Sequence, residues 1–381
     1  MTRKLLIAGA ALALISSCNN MENPFLTESK APFGAPEFDK IKNEHYLPAF
    51  EAGIAEAKAE IDAIVANQEE PTFENTIEAM EYAGETLNRV ANVFYNLMEA
   101  NTNDEMQQIA EQISPMLNEY SMYVSLNADL FAKVKSVYEK KDELGLEKDQ
   151  LKLLEDNYKS FVRGGANLSD EDKELYSKWS EELSLASLQF SKNVLAATNA
   201  YTLHITDSAD LAGLPEFVKT MAAETASEKG LEGWAFTLDA PSYSPFLKYS
   251  EVRNLRKDMW TAYNTRAIGG EFDNTDVVKK IVDLRIRIAN ILGYETYADY
   301  ALEERMAKDK ATVNGFIKEL LDPSMEFAKK DVADVYAFAK KNGFEDSQLM
   351  PWDFSYWSEK YQQAEYSLSA EELKPYFQLE S

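Results

Sequence analysis

The chain has 381 residues, with 39 basic against 65 acidic side chains and a formal net charge of −26. A surface of that charge repels phosphate backbones and anionic lipid faces, which argues against nucleic acid and anionic membranes as partners. Apolar residues make up 45% and aromatic residues 12%, too much for an acidic disordered protein, so the composition predicts a folded, acidic, soluble body.

The first residues form a separate object. Arg3 and Lys4 are a short basic stretch, and Leu5 to Ile15 is an apolar run of signal-peptide length, too short to cross a bilayer as a helix. The run ends in Ile15-Ser16-Ser17-Cys18, which resembles the lipobox of bacterial lipoproteins. That resemblance implies lipidation of Cys18 as the first residue of the mature chain; an ordinary signal peptide with an incidental cysteine is the alternative. Cys18 is the only cysteine, so no intrachain disulfide can form. Residues 1–17 are thus expected to be a lipoprotein signal peptide and 18–36 a polar tether. The protein is expected in the bacterial cell envelope, lipid-anchored on the outer-membrane or periplasmic side.

From Phe38 onward the pattern is helical. Ile54, Ala57, Ile61 and Ile64 recur at spacings of three and four. Gly164-Gly165 is the best internal joint, separating an N-terminal helical region (37–165) from a second helical region (166–381). Ser169 with Asp172 reads as a capping-box-like helix start. The stripe Leu175, Trp179, Leu183, Ala186, Phe190 and Val194 follows as a core face about five turns long. Tyr201–Thr206 and Gly233–Leu238 alternate as strands and predict a small antiparallel element, with a helix over Leu214–Lys229 between them. A Pro-Ser-Tyr-Ser-Pro break follows, then a helix rich in Arg, Lys, Trp and Tyr that runs up to Arg266. Asp322 reads as an N-cap with Pro323 at the first helical position, and Asn342-Gly343 as the stop. No repeat period is visible, so a solenoid is not expected. The fold class is mainly α.

Residues able to carry chemistry are few. His45 and His204 are the only histidines, far apart in sequence and in different predicted elements. Glu44-His45 has Ala49 where a second zinc-binding histidine would stand, so both histidines read as structural or surface residues. There is no Gly-x-Ser-x-Gly elbow and no cysteine beyond Cys18, which leaves no nucleophile. Glu303-Glu304 and Glu371-Glu372 are adjacent, and adjacent helical residues do not face each other, so both pairs read as solvated faces. Gly269-Gly270 reads as a turn rather than a phosphate cradle. No catalytic residue and no metal ligand is assigned.

The segment Gly233–Arg266 is the most distinctive in the chain. Gly233-Trp234, Leu238-Asp239, Pro241-Ser242-Tyr243, Pro245-Phe246-Leu247, Asn254-Leu255-Arg256 and Asn264-Thr265-Arg266 closely resemble the thimet-oligopeptidase-like zinc metallopeptidases, in particular their dipeptidyl carboxypeptidase branch. The likeness is collinear over the mature chain. It begins at Phe38-Asp39-Lys40-Ile41 and Glu44–Phe50, and continues through Pro71–Ile77 and Phe190–Asn199. Leu292-Gly293-Tyr294, Glu304–Ala307 and Trp352-Asp353 follow, and it ends at Lys374–Phe377. The resemblance implies the N-terminal helical half of a zincin-like peptidase, forming one wall of a channel that admits oligopeptides. Members of that family carry zinc on a His-Glu-x-x-His helix, and this sequence contains no such motif.

Two explanations fit: the N-terminal portion of a longer peptidase, or a natural short form that binds peptides without cutting them. Ser369–Glu372 opens a capping box, Pro375 follows within a turn, and Gln378–Ser381 ends abruptly, which favours the first. The implied parent function is zinc-dependent hydrolysis of oligopeptides with release of C-terminal dipeptides, the isolated chain being inactive. The implied partners are oligopeptides and a lipid anchor, and the chain is expected to be a monomer. The alternative is a non-catalytic envelope lipoprotein that binds peptides or glycans.

Overall fold

Helices dominate the computed structural model, which describes residues 23–367 and 373–377. The chain divides into two units, Met1–Phe161 and Val162–Ser381. Cys18 and the Ser369–Glu372 capping box lie outside the described residues.

In the first unit α1 (Tyr46–Ala66) is followed by a π-turn at Phe73–Glu78 that runs into α2 (Ala79–Glu81). Then come α3 (Glu85–Ala100), α4 (Asp104–Ser125), α5 (Ala128–Glu139) and α6, Lys148–Arg163, whose last residues pass into the second unit. Short polar side chains start several of them: Asn103 accepts the Met106 N–H and Asn127 the Leu130 N–H, each satisfying one orphan donor of the first turn. The spacing read at Ile54–Ile64 is the buried face of α1, and Phe50 and Phe94 meet in the α1–α3 seam, both fully buried. Gly53 lets the two helices cross closely, because a Cβ there would stand 2.9 Å from the Leu87 backbone. Phe50 and Phe94 meet edge-on at 5.5 Å, and burying each ring contributes about 2–3 kcal/mol. Phe25, inside the segment expected to be a tether, is buried against Tyr46, and its carbonyl accepts from Arg89. An aromatic side chain with a pocket to fill overrides a polar, Pro-containing context.

The second unit contains α7 (Asp170–Ala200), β1 (Leu203–Ile205), α8 (Glu216–Glu228), β2 (Trp234–Phe236), α9 (Ala240–Tyr249) and α10 (Arg253–Thr265). These are followed by α11 (Thr275–Ile291), α12 (Tyr297–Glu303), α13 (Lys310–Lys341) and α14 (Pro351–Tyr366). The strands pair antiparallel, Leu203 opposite Phe236 and Ile205 opposite Trp234. The sheet is as small as expected, and the α8 crossover lies where the sequence placed it. Ile205, Leu214, Val218, Phe236, Phe246 and Met259 form one core that binds the ribbon to α8, α9 and α10. At Gly233 the backbone is left-handed (φ 90°), and a Cβ would fall 2.4 Å from the Ile205 carbonyl, so the turn into β2 requires glycine.

Three expectations need correction. Pro-Ser-Tyr-Ser-Pro is not a break but the first half of α9 after Ala240. Pro241 stands at the second helical position, where its missing N–H is no loss, and the Ser242 and Tyr243 N–H groups bond the Asp239 carbonyl. Asp322-Pro323 starts no helix, because α13 runs straight through it from a stronger cap at Asp309, whose carboxylate accepts the Thr312 N–H at 2.7 Å. The Ser324 hydroxyl donates to the Leu320 carbonyl beside the proline, and the exposed surroundings let water satisfy the carbonyl that Pro323 frees. Finally, the α7 stripe is not a continuous core face. Ser169 caps the helix as expected, but of the stripe only Ala186 is fully buried, and Phe190 is 36% exposed. Trp179 is covered by the Arg287 guanidinium of α11. Helical spacing shows which residues share a face; it does not show that another element covers that face.

Candidate functional site

The distinctive segment folds around a buried carboxylate. Arg253 and Arg256 are one turn apart on α10, so both project from one face toward the first turn of α14. There Asp353 is fully buried. Arg253 grips it with two parallel hydrogen bonds, Nε to Oδ1 at 2.8 Å and Nη2 to Oδ2 at 2.7 Å. Arg256 adds a third to Oδ1 at 3.2 Å, and the Met350 N–H a fourth to Oδ2 at 3.2 Å. The remaining Arg256 donors reach the Ser250 carbonyl at 2.7 Å and the Trp352 carbonyl at 3.0 Å. Arg253 also pairs with Asp346 at 2.5 Å. A buried charge is tolerated only when its hydrogen-bonding capacity is met, and here it is.

Burial alone would push the Asp353 carboxyl up. Arg253, the Met350 N–H and Arg256 together outweigh it and hold the carboxyl below its ordinary value. The Asp353 hydrogen bond raises Arg253 above the usual guanidinium range, while desolvation lowers Arg256. Neither arginine gives up a proton at any biological pH.

Aromatic rings surround this hub. Arg256 lies over Tyr356 at 4.2 Å, and Trp260 meets Trp352 edge-on at 5.6 Å with the Lys257 ammonium over the latter. At the far end of α10, Tyr243 stacks on Tyr263 at 4.2 Å and Arg266 lies 3.7 Å over Tyr263. Burial raises the Tyr243 phenol above its ordinary value. Beside the hub lies a cavity of about 360 Å³ whose walls include Phe344, Tyr356 and Trp357 together with Glu251 and Glu345. Cationic and aromatic groups of this kind can hold a peptide by stacking and charge. The set contains no nucleophile paired with a base.

A second polar knot joins the end of α6 to α12. The Arg163 guanidinium pairs with Glu303, donates to the Tyr294 hydroxyl at 3.1 Å and to the Tyr300 carbonyl at 2.7 Å, and lies over the Tyr300 ring. Tyr294 donates to Glu303 at 2.5 Å, and burial, then this carboxylate, push its phenol up to about 12. Glu303 is therefore an ion-pair partner on a face that stays partly solvated, its side chain 43% exposed. Its neighbour in sequence says nothing of Arg163, 140 residues away.

The histidines do not make a metal site. His45 is buried in the first unit, where its Nδ1 accepts the Lys42 N–H at 3.1 Å. His204 is exposed on β1 in the second, its Nε2 2.6 Å from the Glu232 carbonyl. Among the described residues no group of three or more His, Cys, Asp or Glu is placed to hold an ion. The donor set here does not fit a zinc ion, and no chemical step can be routed through one on these residues.

Residues 246–381 match Peptidase family M3. The chain is 36% identical over 361 residues to a dipeptidyl carboxypeptidase of Escherichia coli, covering 94% of this chain and 53% of that protein. It is 34% identical over 362 residues to an oligopeptidase A of the same organism, covering 94% and 52%. Saccharolysin of Saccharomyces cerevisiae is more distant, 26% identical over 324 residues. The chain thus spans about half the length of the curated relatives it matches. Along nearly all of its own length, this chain is a relative of the M3 peptidases.

Proposed function

We propose that this chain holds unstructured oligopeptides for a zinc metallopeptidase of the M3 type, one that releases C-terminal dipeptides, and that it cuts nothing alone. The observation that carries this reading is the 36% identity to a dipeptidyl carboxypeptidase over 94% of the chain. The sequence itself contains no His-Glu-x-x-His. In support, the α9–α10 segment presents aromatic rings and cations on a scaffold fixed by Asp353, which suits binding of an extended peptide rather than reaction with it. On this reading the chain supplies channel wall, and zinc belongs to M3 chemistry carried out on other residues.

The reading extends to location. Cys18 is proposed as a lipidation site that anchors a monomeric protein in the bacterial envelope. Cys18→Ala should move the protein from the detergent phase to the aqueous phase on Triton X-114 partitioning, and globomycin should block processing of the native chain. A wild-type chain found wholly in the aqueous phase would refute the anchor. For peptide binding, titration of the purified chain with a blocked oligopeptide should change its tryptophan emission saturably. A flat titration in the presence of properly folded protein removes the peptide-holding role.

A further inference from the structure

The outer part of α13 carries an apolar arc that nothing among the described residues covers. Phe316, Ile317, Leu320, Leu321, Met325 and Phe327 are each between 43% and 67% exposed. At about 100° per residue, these six fall within one half of the helix circumference, together with Val335 and Ala339. Between Val313 and Ala328 that half carries no charged side chain. Lys318, Glu319, Asp322, Glu326, Lys329 and Lys330 occupy the opposite half. This is the pattern of a helix built to bury one side.

The same arc is an interface at its C-terminal end. Val335 and Ala339 are buried, and Phe338 meets Trp357 and Tyr361 of α14 edge-on at 6.4 Å and 5.4 Å. The uncovered stretch therefore continues a packing surface already in use. Six large side chains at such exposure present on the order of 600 Å² of apolar area, as much as or more than the largest patch of an ordinary monomer. One side of a standard protein interface buries about 800 Å².

We propose that this arc is the docking surface for M3-type polypeptide, namely an apolar helix face from the part of a dipeptidyl carboxypeptidase sequence that this chain does not match. The proposal rests on the peptidase reading above. Three things favour this occupant: continuity with the α13–α14 interface, an area of interface size, and relatives that have nearly half their length outside the match. Because the arc is uncharged, docking should depend on shape and apolar burial and respond little to salt.

The test is to co-express the full chain with a tagged polypeptide comprising the unmatched part of the Escherichia coli dipeptidyl carboxypeptidase. The two should co-purify at both low and high salt, with hydrogen-exchange protection appearing over residues 313–328. Leu320→Glu with Leu321→Glu should weaken retention at least tenfold while leaving the circular dichroism of the chain unchanged. Absence of co-purification, full retention by the double variant, or protection confined to other helices would overturn the proposal. So would self-association of the chain that the double variant abolishes, since that assigns the arc to a second copy. Blocked-peptide binding, measured on the same double variant, separates the two readings. If docking fails while peptide binding persists, only the surface is lost; if the wild type docks but binds no peptide, only the peptide-holding role is lost.

Discussion

Asp353 and Leu320 lie on helices that pack against each other, α14 and α13, yet their surroundings are opposite. Asp353 is a charge sealed inside, held by four hydrogen bonds from Arg253, Arg256 and the Met350 backbone. Leu320 is an aliphatic side chain 55% exposed, in an arc of similar residues. The first region is polar, and the Asp353 carboxylate has its hydrogen bonds met within the chain, so the carboxylate itself needs no further partner. The second is apolar and incomplete, so covering it would lower the free energy. One region is a fixed scaffold. The other is a surface awaiting contact.

That contrast can be broken most forcefully at the hub. Asp353→Ala leaves two guanidinium groups without their carboxylate, one of them buried, and should cost about 3–5 kcal/mol. All five tryptophans lie in the second unit, so denaturant unfolding followed by tryptophan emission reads that unit directly. A loss below about 1 kcal/mol would mean that the hub is not a keystone.

The acid side of stability tests the same group. Asp353 is held below its unfolded value of about 3.9. A carboxyl lowered in the folded state stabilises above the unfolded pKa, and that contribution is lost as pH falls through the folded value. Stability of the second unit should therefore decline from about pH 4 downward, and Asp353→Asn should make this decline shallower. An unchanged slope in the variant would assign the acid sensitivity to other carboxylates.

Arg163→Ala should have a smaller effect, about 1–3 kcal/mol, because Glu303 remains partly in water and is screened. The same variant should lower the Tyr294 titration from about 12 only if the loss of Arg163 also admits water, since the arginine itself favours the ionised phenol. Ultraviolet titration of the variant separates the two effects by sign.

The smallest effects sharpen the contrast within α13 itself. Val335→Ala removes methyl groups from the covered end of the arc and should cost about 1–2 kcal/mol, whereas Leu320→Ala, on the uncovered stretch, should stay within about 0.5 kcal/mol in the chain alone. Equal losses at the two positions would show that the arc is covered along its whole length.

Local chemistry made much of the fold legible in the sequence. Ser169 and Asn342-Gly343 bound their helices because caps act within one turn, and the β1–β2 ribbon was visible as alternation. Local cues failed where a longer element overrode them. Asp322-Pro323 is a good start signal, but it sits in the middle of a helix already nucleated at Asp309. The prolines of α9 punctuate nothing, because one lies in the first turn. The α7 stripe shows what periodicity leaves out, namely the neighbour. Of the candidate site, Trp352-Asp353 and Arg256 stand out in the sequence only as marks of resemblance. Their meeting across about a hundred residues is a tertiary fact without a local signal, and the same holds for Arg163 and Glu303. An aspartate that follows a Met-Pro-Trp helix start is the one local hint at position 353.

We propose that this chain holds peptide and does not cut it. The most direct measurement is mass spectrometry of a blocked oligopeptide incubated with purified chain and added zinc, under conditions where binding is saturable. The expected result is an intact peptide with no dipeptide released. Release of a C-terminal dipeptide, abolished by a chelator and restored by zinc, would contradict it.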